Sequence, residues 1–251
     1  MKLIHDNFQN YKRYQIPKAQ LIIADIPYNI GTNAYASNPK WYKDGDNTKG
    51  ESELAGKQFF DTDSNFNLVE FMHFVNRMLK KEPKERNQAG AMIIFCAFEQ
   101  MQMLIDLAKR YGFPKYQELI FRKNYSAQVL KANMRIVGNC EYGLLFYRDK
   151  LPKFRNGGRM IFNCMEFRKD NATPKVHPNQ KPIGLLRQLI EIFTDVNDVV
   201  IDPCAGSGVT LLAAKQLGRR AYGFEIKREF VKGFYDELAV NVQPSLFSLG
   251  G

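Results

Sequence analysis

The chain has 251 residues, 45% of them hydrophobic, which is enough to bury a full core in one domain. No stretch approaches the roughly 20 consecutive apolar residues of a membrane span, and the N-terminus lacks the long apolar segment of a signal peptide. The 36 Lys and Arg outnumber the 26 Asp and Glu, so the net charge is +10. This excess favours a polyanionic partner such as nucleic acid.

The four cysteines, Cys96, Cys140, Cys164 and Cys204, have neither CxxC pairing nor metal-ligand spacing. We interpret them as reduced thiols and expect a cytoplasmic protein that binds no metal.

Strand-like and helix-like segments alternate along the chain. The predicted strands are short apolar runs between turn residues: "QLIIA", 89–96, "YQELIFR", "EYGLLFY", 198–202 and "RRAYGFEI". The predicted helices repeat apolar residues every three or four positions: 68–80, 98–111, 183–194, "SGVTLLAAKQLG" and a last one ending near Val240. This alternation predicts a single α/β domain whose sheet is doubly wound and mostly parallel. Two polar segments, 29–65 and 148–182, interrupt it and are longer than ordinary loops.

The segment 199–226 reads as strand, glycine-rich turn, helix and strand with an acidic end, which is half of a nucleotide-binding unit. Gly206 and Gly208 lack a Cβ and let a ligand approach the backbone closely. Glu225 closes the second strand and can accept hydrogen bonds from ribose hydroxyls.

The turn differs from one that binds a dinucleotide. Leu211 stands where a pyrophosphate-binding turn needs Gly or Ala, and Asp202 would repel a pyrophosphate. The carboxylate suits a cationic cofactor with a ribose, such as S-adenosylmethionine. The alternative is a plain glycine turn without a ligand.

A second turn follows the first predicted strand, in "LIIADIPYNIG". Both turns follow strands and are expected to face the same crevice. Asp25 can accept a hydrogen bond from an exocyclic amine, the Pro27 region can offer a backbone carbonyl as a second acceptor, and Tyr28 can stack on a planar ring.

Three ordered motifs resemble the β group of DNA amino-methyltransferases, which methylate N6 of adenine or N4 of cytosine. The family's catalytic Asp-Pro-Pro-Tyr tetrapeptide, or a variant of it, matches 25–28. Its Asp-Pro-Phe-x-Gly-Ser-Gly turn matches 202–208, and its His-Pro-x-Gln-Lys-Pro element matches "HPNQKP" at 177–182. Ile26 and Cys204 depart from the family pattern.

The resemblance implies a Rossmann-like methyltransferase domain over 1–251 with an inserted target-recognition region at 122–176, a mobile DNA-facing loop at 29–65 and a tail at 241–251. It implies that Asp25, Pro27 and Tyr28 are catalytic. The residues implied to bind S-adenosylmethionine are Asp202, Pro203, Cys204, Gly206, Ser207, Gly208, Thr210, Glu225, Asn179, Gln180 and Lys181, the last three at its methionine end.

DNA is the expected partner, and the target base must leave the duplex to react. The candidate DNA contacts are Asn29, Arg122, Lys123, Lys131, Arg135, Arg155, Arg159, Arg168, Lys169 and Lys175. In the resembled family Asp at the first tetrapeptide position favours adenine, whereas cytosine enzymes usually have Ser. A cytosine-N4 enzyme, an RNA methyltransferase and a catalytically silent nucleic-acid-binding module are the alternatives.

Two further partners are considered: a second copy of the chain, as a homodimer, and a bacterial sliding clamp. Pro244 ends the last helix, and Gln243–Phe247 resembles the short Gln-x-Ser/Asp-Leu-Phe peptide with which replication proteins bind the clamp. The alternative is a tail that packs Leu246 and Phe247 on its own surface.

Overall fold

The structure is a computed structural model and describes residues 1–28, 66–124, 128–131, 136–168, 170–176 and 180–238. The whole of the expected DNA-facing loop (29–65) and of the tail (241–251) lies outside the described residues. None of the described helices has the length and apolar character needed to cross a bilayer.

Eight strands of the described residues form one sheet in the order β1-β10-β9-β2-β3-β7-β4-β8, and β5 and β6 form a separate antiparallel pair. Within the large sheet only β7 runs antiparallel to its neighbours. The strands are β1 Lys2–His5, β2 Leu21–Asp25, β3 Ala91–Cys96, β4 Lys115–Lys123, β5 Gln128–Lys131, β6 Ile136–Gly138, β7 Cys140–Tyr147, β8 Cys164–Phe167, β9 Val199–Asp202 and β10 Arg220–Glu225.

The α-helices of the described residues are α1 Leu68–Met78, α2 Met101–Arg110, α3 Ile183–Phe193, α4 Val209–Gln216 and α5 Arg228–Gly233. Two 3₁₀ segments, Phe8–Tyr14 and Phe98–Gln100, precede β2 and α2, and a π-helical turn, Phe234–Leu238, continues α5.

Helices cover both faces of the sheet because the central strands are apolar on both sides. In β2, Leu21 and Ile23 belong to a core cluster that includes α3 and α4, whereas Ile22 and Ala24 belong to a cluster that includes α1 and α2. Successive side chains of a strand point to opposite faces, so a continuous apolar run fills two cores. The prediction of a doubly wound, mostly parallel α/β sheet is confirmed.

Several element boundaries differ from the sequence prediction. The helix predicted at 68–80 ends at Met78, because the Lys80 N–H donates to the carbonyl of Ala19 instead of continuing the helix. The helix predicted at 98–111 begins as a 3₁₀ turn. The short strands β1 and β8 were not predicted from the sequence. The region 122–176 is not wholly an insert, since β7 and β8 are strands of the main sheet.

The strand register determines where the polar turns meet. Strand β2 lies between β9 and β3 and is parallel to both, so its last residue, Asp25, lies at the same edge of the sheet as Asp202. Glu225 ends β10, the neighbour of β9 on the other side. Three carboxylates from three parallel strands therefore lie along one edge of the sheet.

The glycine-rich turn is fixed by close packing against the π-helical turn. Gly208 has φ +75, and a Cβ at this position would lie 2.3 Å from the ring of Phe234, which is fully buried. A glycine is therefore required both by the left-handed backbone and by the space available.

Replacing Gly208 by alanine should lower the free energy of unfolding by about 2–4 kcal/mol, because the methyl group overlaps Phe234 and alanine disfavours positive φ. Urea unfolding followed by circular dichroism measures the change. Gly184→Ala in α3 is the matched control, since nothing lies within 4 Å of its added Cβ. Equal unfolding free energies for Gly208→Ala and the unmodified protein would contradict this packing.

Candidate active site

The turn after β2 is held against the neighbouring strand by one glutamine. The Gln100 side-chain amide donates to the carbonyl of Pro27 at 2.9 Å, and its oxygen accepts the Ala97 N–H at 3.0 Å. Because Ala97 follows β3 directly, Gln100 ties the ends of two parallel strands together. No motif in the sequence marks Gln100, and sequence analysis missed it.

The two oxygens of Asp25 have different surroundings. Oδ2 accepts a hydrogen bond from Nζ of Lys181 at 2.7 Å. Oδ1 is buried and has no hydrogen-bond partner among the described residues. A buried carboxylate oxygen without a partner is costly, so Oδ1 is an acceptor available to a ligand.

Lys181 is surrounded by acceptors and aromatic rings. Its Nζ lies 3.1 Å from Oε2 of Glu141 and 3.5 Å from the hydroxyl of Tyr28, and it lies 5.0 Å from the centre of the Phe95 ring. Glu141, on β7, also forms an ion pair with Lys123 through its other oxygen. Glu141 lies outside the three motifs, and sequence analysis missed it.

Burial and the neighbouring charges together determine the protonation states of Asp25, Lys181 and Tyr28. Burial raises the pKa of Asp25 above its ordinary value, and Lys181 opposes that rise. Burial alone would lower the pKa of Lys181, but Asp25 and Glu141 raise it well above its ordinary value, so the lysine stays a cation. Burial, and then the charge of Asp25, raises the pKa of Tyr28, so its phenol stays neutral.

Asp202 begins the glycine-rich turn and is 3% exposed. Its Oδ1 accepts the N–H of Cys204 at 3.0 Å, and the hydroxyl of Thr210 also bonds to it. Burial raises the pKa of Asp202 to about 7, against the effect of these two bonds. The carboxylate is therefore close to half protonated at neutral pH.

Glu225 links the turn to the end of β10. Its Oε2 accepts the Gly206 N–H at 2.8 Å and its Oε1 accepts the Lys227 N–H at 2.7 Å. Burial raises the pKa of Glu225, and the backbone hydrogen bonds oppose the rise. Each carboxylate oxygen has further acceptor capacity, which suits two ribose hydroxyls.

These donors and acceptors fit S-adenosylmethionine. One buried carboxylate, Asp202, and one half-buried carboxylate, Glu225, lie beside a turn with two left-handed glycines, Gly206 (φ 50) and Gly208 (φ 75), and offer acceptors and open backbone. Such a set favours a cationic, ribose-bearing cofactor over a pyrophosphate. Ser207 is buried within the turn, as is Pro203, while Cys204 is half-buried.

Gln180 and Lys181 of the "HPNQKP" element are placed differently from the prediction. Gln180 accepts the Val176 N–H and donates to the carbonyl of Pro174, so its amide closes a turn of its own segment. Lys181 reaches Asp25 rather than the glycine-rich turn. For these two residues a role at the methionine end does not match the contacts observed. Asn179 lies outside the described residues.

Two of the predicted DNA contacts are engaged in ion pairs at the site edge. Arg122, near the end of β4, pairs with Glu166 and is half exposed. Lys123 pairs with Glu141 and is only 14% exposed, so its charge compensates the carboxylate that also contacts Lys181. This burial does not favour a phosphate contact by Lys123.

The remaining predicted DNA contacts are scattered. Arg155 bonds to Asp195, just before β9, at the sheet edge opposite the site, so the structure does not bring it to the active site. Arg159, Arg168 and Lys175 are exposed. Asn29, Arg135 and Lys169 lie outside the described residues, as does the side chain of Lys131.

The fold and the site together are typical of an α/β transferase. The glycine-rich turn suits a cofactor with a ribose, and next to it Asp25 can accept a hydrogen bond from an amine. A family model described as DNA methylase matches residues 19–236. The chain therefore belongs to the DNA methylase family, and the expectation of a DNA methyltransferase is confirmed. The predicted methyl donor, S-adenosylmethionine, agrees with this family.

Two of the curated relatives come from Escherichia coli K12. The putative methylase YubD is 30% identical over 163 residues, which cover 65% of this chain and 65% of YubD, so the match spans less than two thirds of that relative. The DNA adenine methyltransferase YhdJ is 26% identical over 266 aligned positions, covering 92% of this chain and 80% of YhdJ.

Two solved structures share the fold. The M1.HpyAVI-SAM complex is 23% identical, with a TM-score of 0.66 and coverage of 94% of this chain and 98% of that one. The cytosine-N4-specific PvuII DNA methyltransferase is 15% identical, with a TM-score of 0.68 and coverage of 93% and 84%.

The affinity for S-adenosylmethionine should depend on the ionisation of Asp202. At pH 8 its carboxylate is charged, and the protein should bind the cofactor about tenfold more tightly than the Asp202→Asn variant. At pH 6 Asp202, with its pKa of about 7, is mostly protonated, and that advantage should largely disappear. Isothermal titration at both pH values measures it. The neutral variant corrects for titration of the cofactor itself, and a ratio independent of pH would contradict the assignment.

Proposed function

We propose that the protein transfers a methyl group from S-adenosylmethionine to N6 of an adenine extruded from DNA. The observation that carries the proposal is the buried, unpaired Oδ1 of Asp25, at the end of the strand next to the cofactor turn. An acceptor in this position suits an N–H of an uncharged exocyclic amine.

The residues of the site have distinct roles in this reaction. Asp25 accepts one N6–H, which orients the nitrogen lone pair toward the methyl group. Tyr28 stacks on the extruded base, and Gln100 holds the turn in place through the Pro27 carbonyl. When bound, S-adenosylmethionine supplies an electrophilic methyl group on a sulfonium. The new N–C bond forms as the C–S bond breaks, and the nitrogen then releases a proton to solvent.

Cytosine N4 is the second candidate substrate. Asp25 could accept an N4–H in the same way, and the cytosine-N4-specific PvuII enzyme shares the fold. Adenine is favoured because YhdJ, a DNA adenine methyltransferase, is similar over 92% of this chain. Nucleoside mass spectrometry of methylated DNA separates N6-methyladenine from N4-methylcytosine.

We also propose that the protein acts in the cytoplasm on DNA, with a site specificity like that of a restriction–modification methyltransferase. The net charge of +10 supports DNA binding, and exposed Arg159, Arg168 and Lys175 are candidate phosphate contacts. A homodimer remains a prediction from sequence.

Asp25→Ala should reduce DNA methylation by about 100-fold or more, because a preorganised hydrogen bond to the reacting group is lost. Its affinity for S-adenosylmethionine should change less than about threefold. Radiolabelled methyl transfer and calorimetry measure the two effects. Asp106→Asn is the matched control, because Asp106 is an exposed carboxylate on α2. Near-normal methylation by Asp25→Ala would remove Asp25 from the reaction.

We propose, from sequence alone, that Gln243–Phe247 binds the bacterial sliding clamp. Leu246 and Phe247 would each bury apolar surface worth roughly 1.5–3 kcal/mol before ordering costs, which suits micromolar binding. A pull-down with purified clamp should retain the unmodified protein and lose the Leu246→Ala/Phe247→Ala variant. Ser248→Ala is the control outside the motif. Equal capture of all three forms would contradict clamp binding, and methylation in vitro should not change.

A further inference from the structure

We infer that Lys181 is a positioning residue for methyl transfer, which orients Asp25 by binding one carboxylate oxygen and leaving the other free for the target amine. The inference rests on the proposed function and deepens it. It assigns to Lys181 a task different from cofactor binding. It also assigns to Glu141, a residue of no motif, the task of holding the lysine.

The geometry joins three parts of the chain that are distant in sequence. Asp25 ends β2, Glu141 lies at the start of β7, and Lys181 comes just before α3. Nζ of Lys181 lies 2.7 Å from Oδ2 of Asp25 and 3.1 Å from Oε2 of Glu141. The lysine side chain is only 10% exposed and the glutamate 17%. An ion pair this well shielded is screened by water much less than a surface pair.

The contacts of Lys181 explain why the two oxygens of Asp25 differ. Three oxygens surround Nζ, from Asp25, Glu141 and Tyr28. Nζ donates hydrogen bonds to Oδ2 of Asp25 and to the Tyr28 hydroxyl, whereas its contact with Oε2 of Glu141 is an ion pair without a hydrogen bond. Because Nζ binds Oδ2, Oδ1 of Asp25 stays buried and unpaired among the described residues.

The balance of charge keeps Asp25 an acceptor. Asp25 and Glu141 carry two negative charges, and Lys181 and Lys123 carry two positive charges. Without Lys181, the two partly buried carboxylates of Asp25 and Glu141 would share the single cation on Lys123. Asp25 would then take up a proton more readily, and Oδ1 could no longer act as a charged acceptor.

The groups that face Asp25 from all neighbouring elements are Lys181, Glu141, Tyr28, Cys96, Asp202 and Cys204. Burial raises the pKa of Cys96 to about 12 and raises those of Tyr28 and Cys204 well above their ordinary values, so these three are neutral. The negative neighbours are Glu141 and, in its ionised form, Asp202, whose pKa burial raises to about 7. Among these facing groups Lys181 is the only cation.

Two substitutions should move the pH profile of single-turnover methylation in opposite directions. Lys181→Met should shift the acidic limb to higher pH by roughly one to three units, because Asp25 loses its cation. Glu141→Gln should shift that limb to lower pH, because a like charge is removed. Lys181→Arg keeps the charge and should keep the limb near its original pH. Lys109→Met, on the exposed face of α2, is the matched control.

If Lys181 had a purely structural role, the variants would have lower activity, but the acidic limbs of their pH profiles would not shift in opposite directions. Shifts in the same direction, or no shift, would overturn the inference. If Lys181→Met does not fold, Glu141→Gln alone decides, since an unchanged limb in that variant also overturns it.

A second measurement separates this inference from the proposed function. The carbon-13 shift of the Asp25 carboxyl, assigned with Asp25→Asn, reports its titration without DNA or cofactor. The inference requires the pKa of Asp25 to rise in Lys181→Met and to fall in Glu141→Gln, even if no DNA base is methylated. An unchanged titration in both variants would overturn it while leaving the proposed function intact.

Discussion

Parallel pairing of β2 with β9 is the constraint on which the site depends. Because the two strands are neighbours and run in the same direction, the turn after Asp25 and the turn after Asp202 open at one edge of the sheet. A methyl donor bound at one turn and the amine that receives the methyl group bound at the other would then be adjacent, without any further adjustment of the backbone. The apolar strands on both sides of this pair hold the register, since slipping by one residue would reverse every side chain.

The same pairing concentrates negative charge, and the protein compensates it differently at each strand end. Glu225 is satisfied by two backbone N–H groups, and Asp202 by the Cys204 N–H and the Thr210 hydroxyl. Asp25 instead faces the ammonium of Lys181. Backbone donors leave the negative charge uncancelled, whereas a lysine cancels it. The two kinds of compensation therefore produce two electrostatic environments within one crevice.

Local patterns predicted most of the fold, and distant contacts account for what they missed. The apolar run of β2 and the glycine-rich turn before α4 each carry their signal within about ten residues, so strands, helices and both turns could be predicted. The contact of Lys181 with Asp25 joins positions 156 residues apart, and no local spacing encodes it. Gln100 likewise depends on how β3 lies beside β2. Charge alone also could not place Arg155, because the ion pair with Asp195 lies at the far edge of the sheet.

The two environments match the charges of the two expected ligands. Around Asp25 the four ionised groups sum to zero, so an uncharged base can enter without an unfavourable net field, and Oδ1 still offers a hydrogen-bond acceptor. Asp202 and Glu225 are compensated mainly by hydrogen bonds, with the charge of Lys227 also acting on Glu225, so this end of the crevice keeps negative charge that attracts a sulfonium and an ammonium. A pyrophosphate would be repelled there. At one edge of the sheet, the cationic cofactor and the neutral amine are therefore directed to different carboxylates. What distinguishes the two places is whether hydrogen bonds or a lysine balance the negative charge.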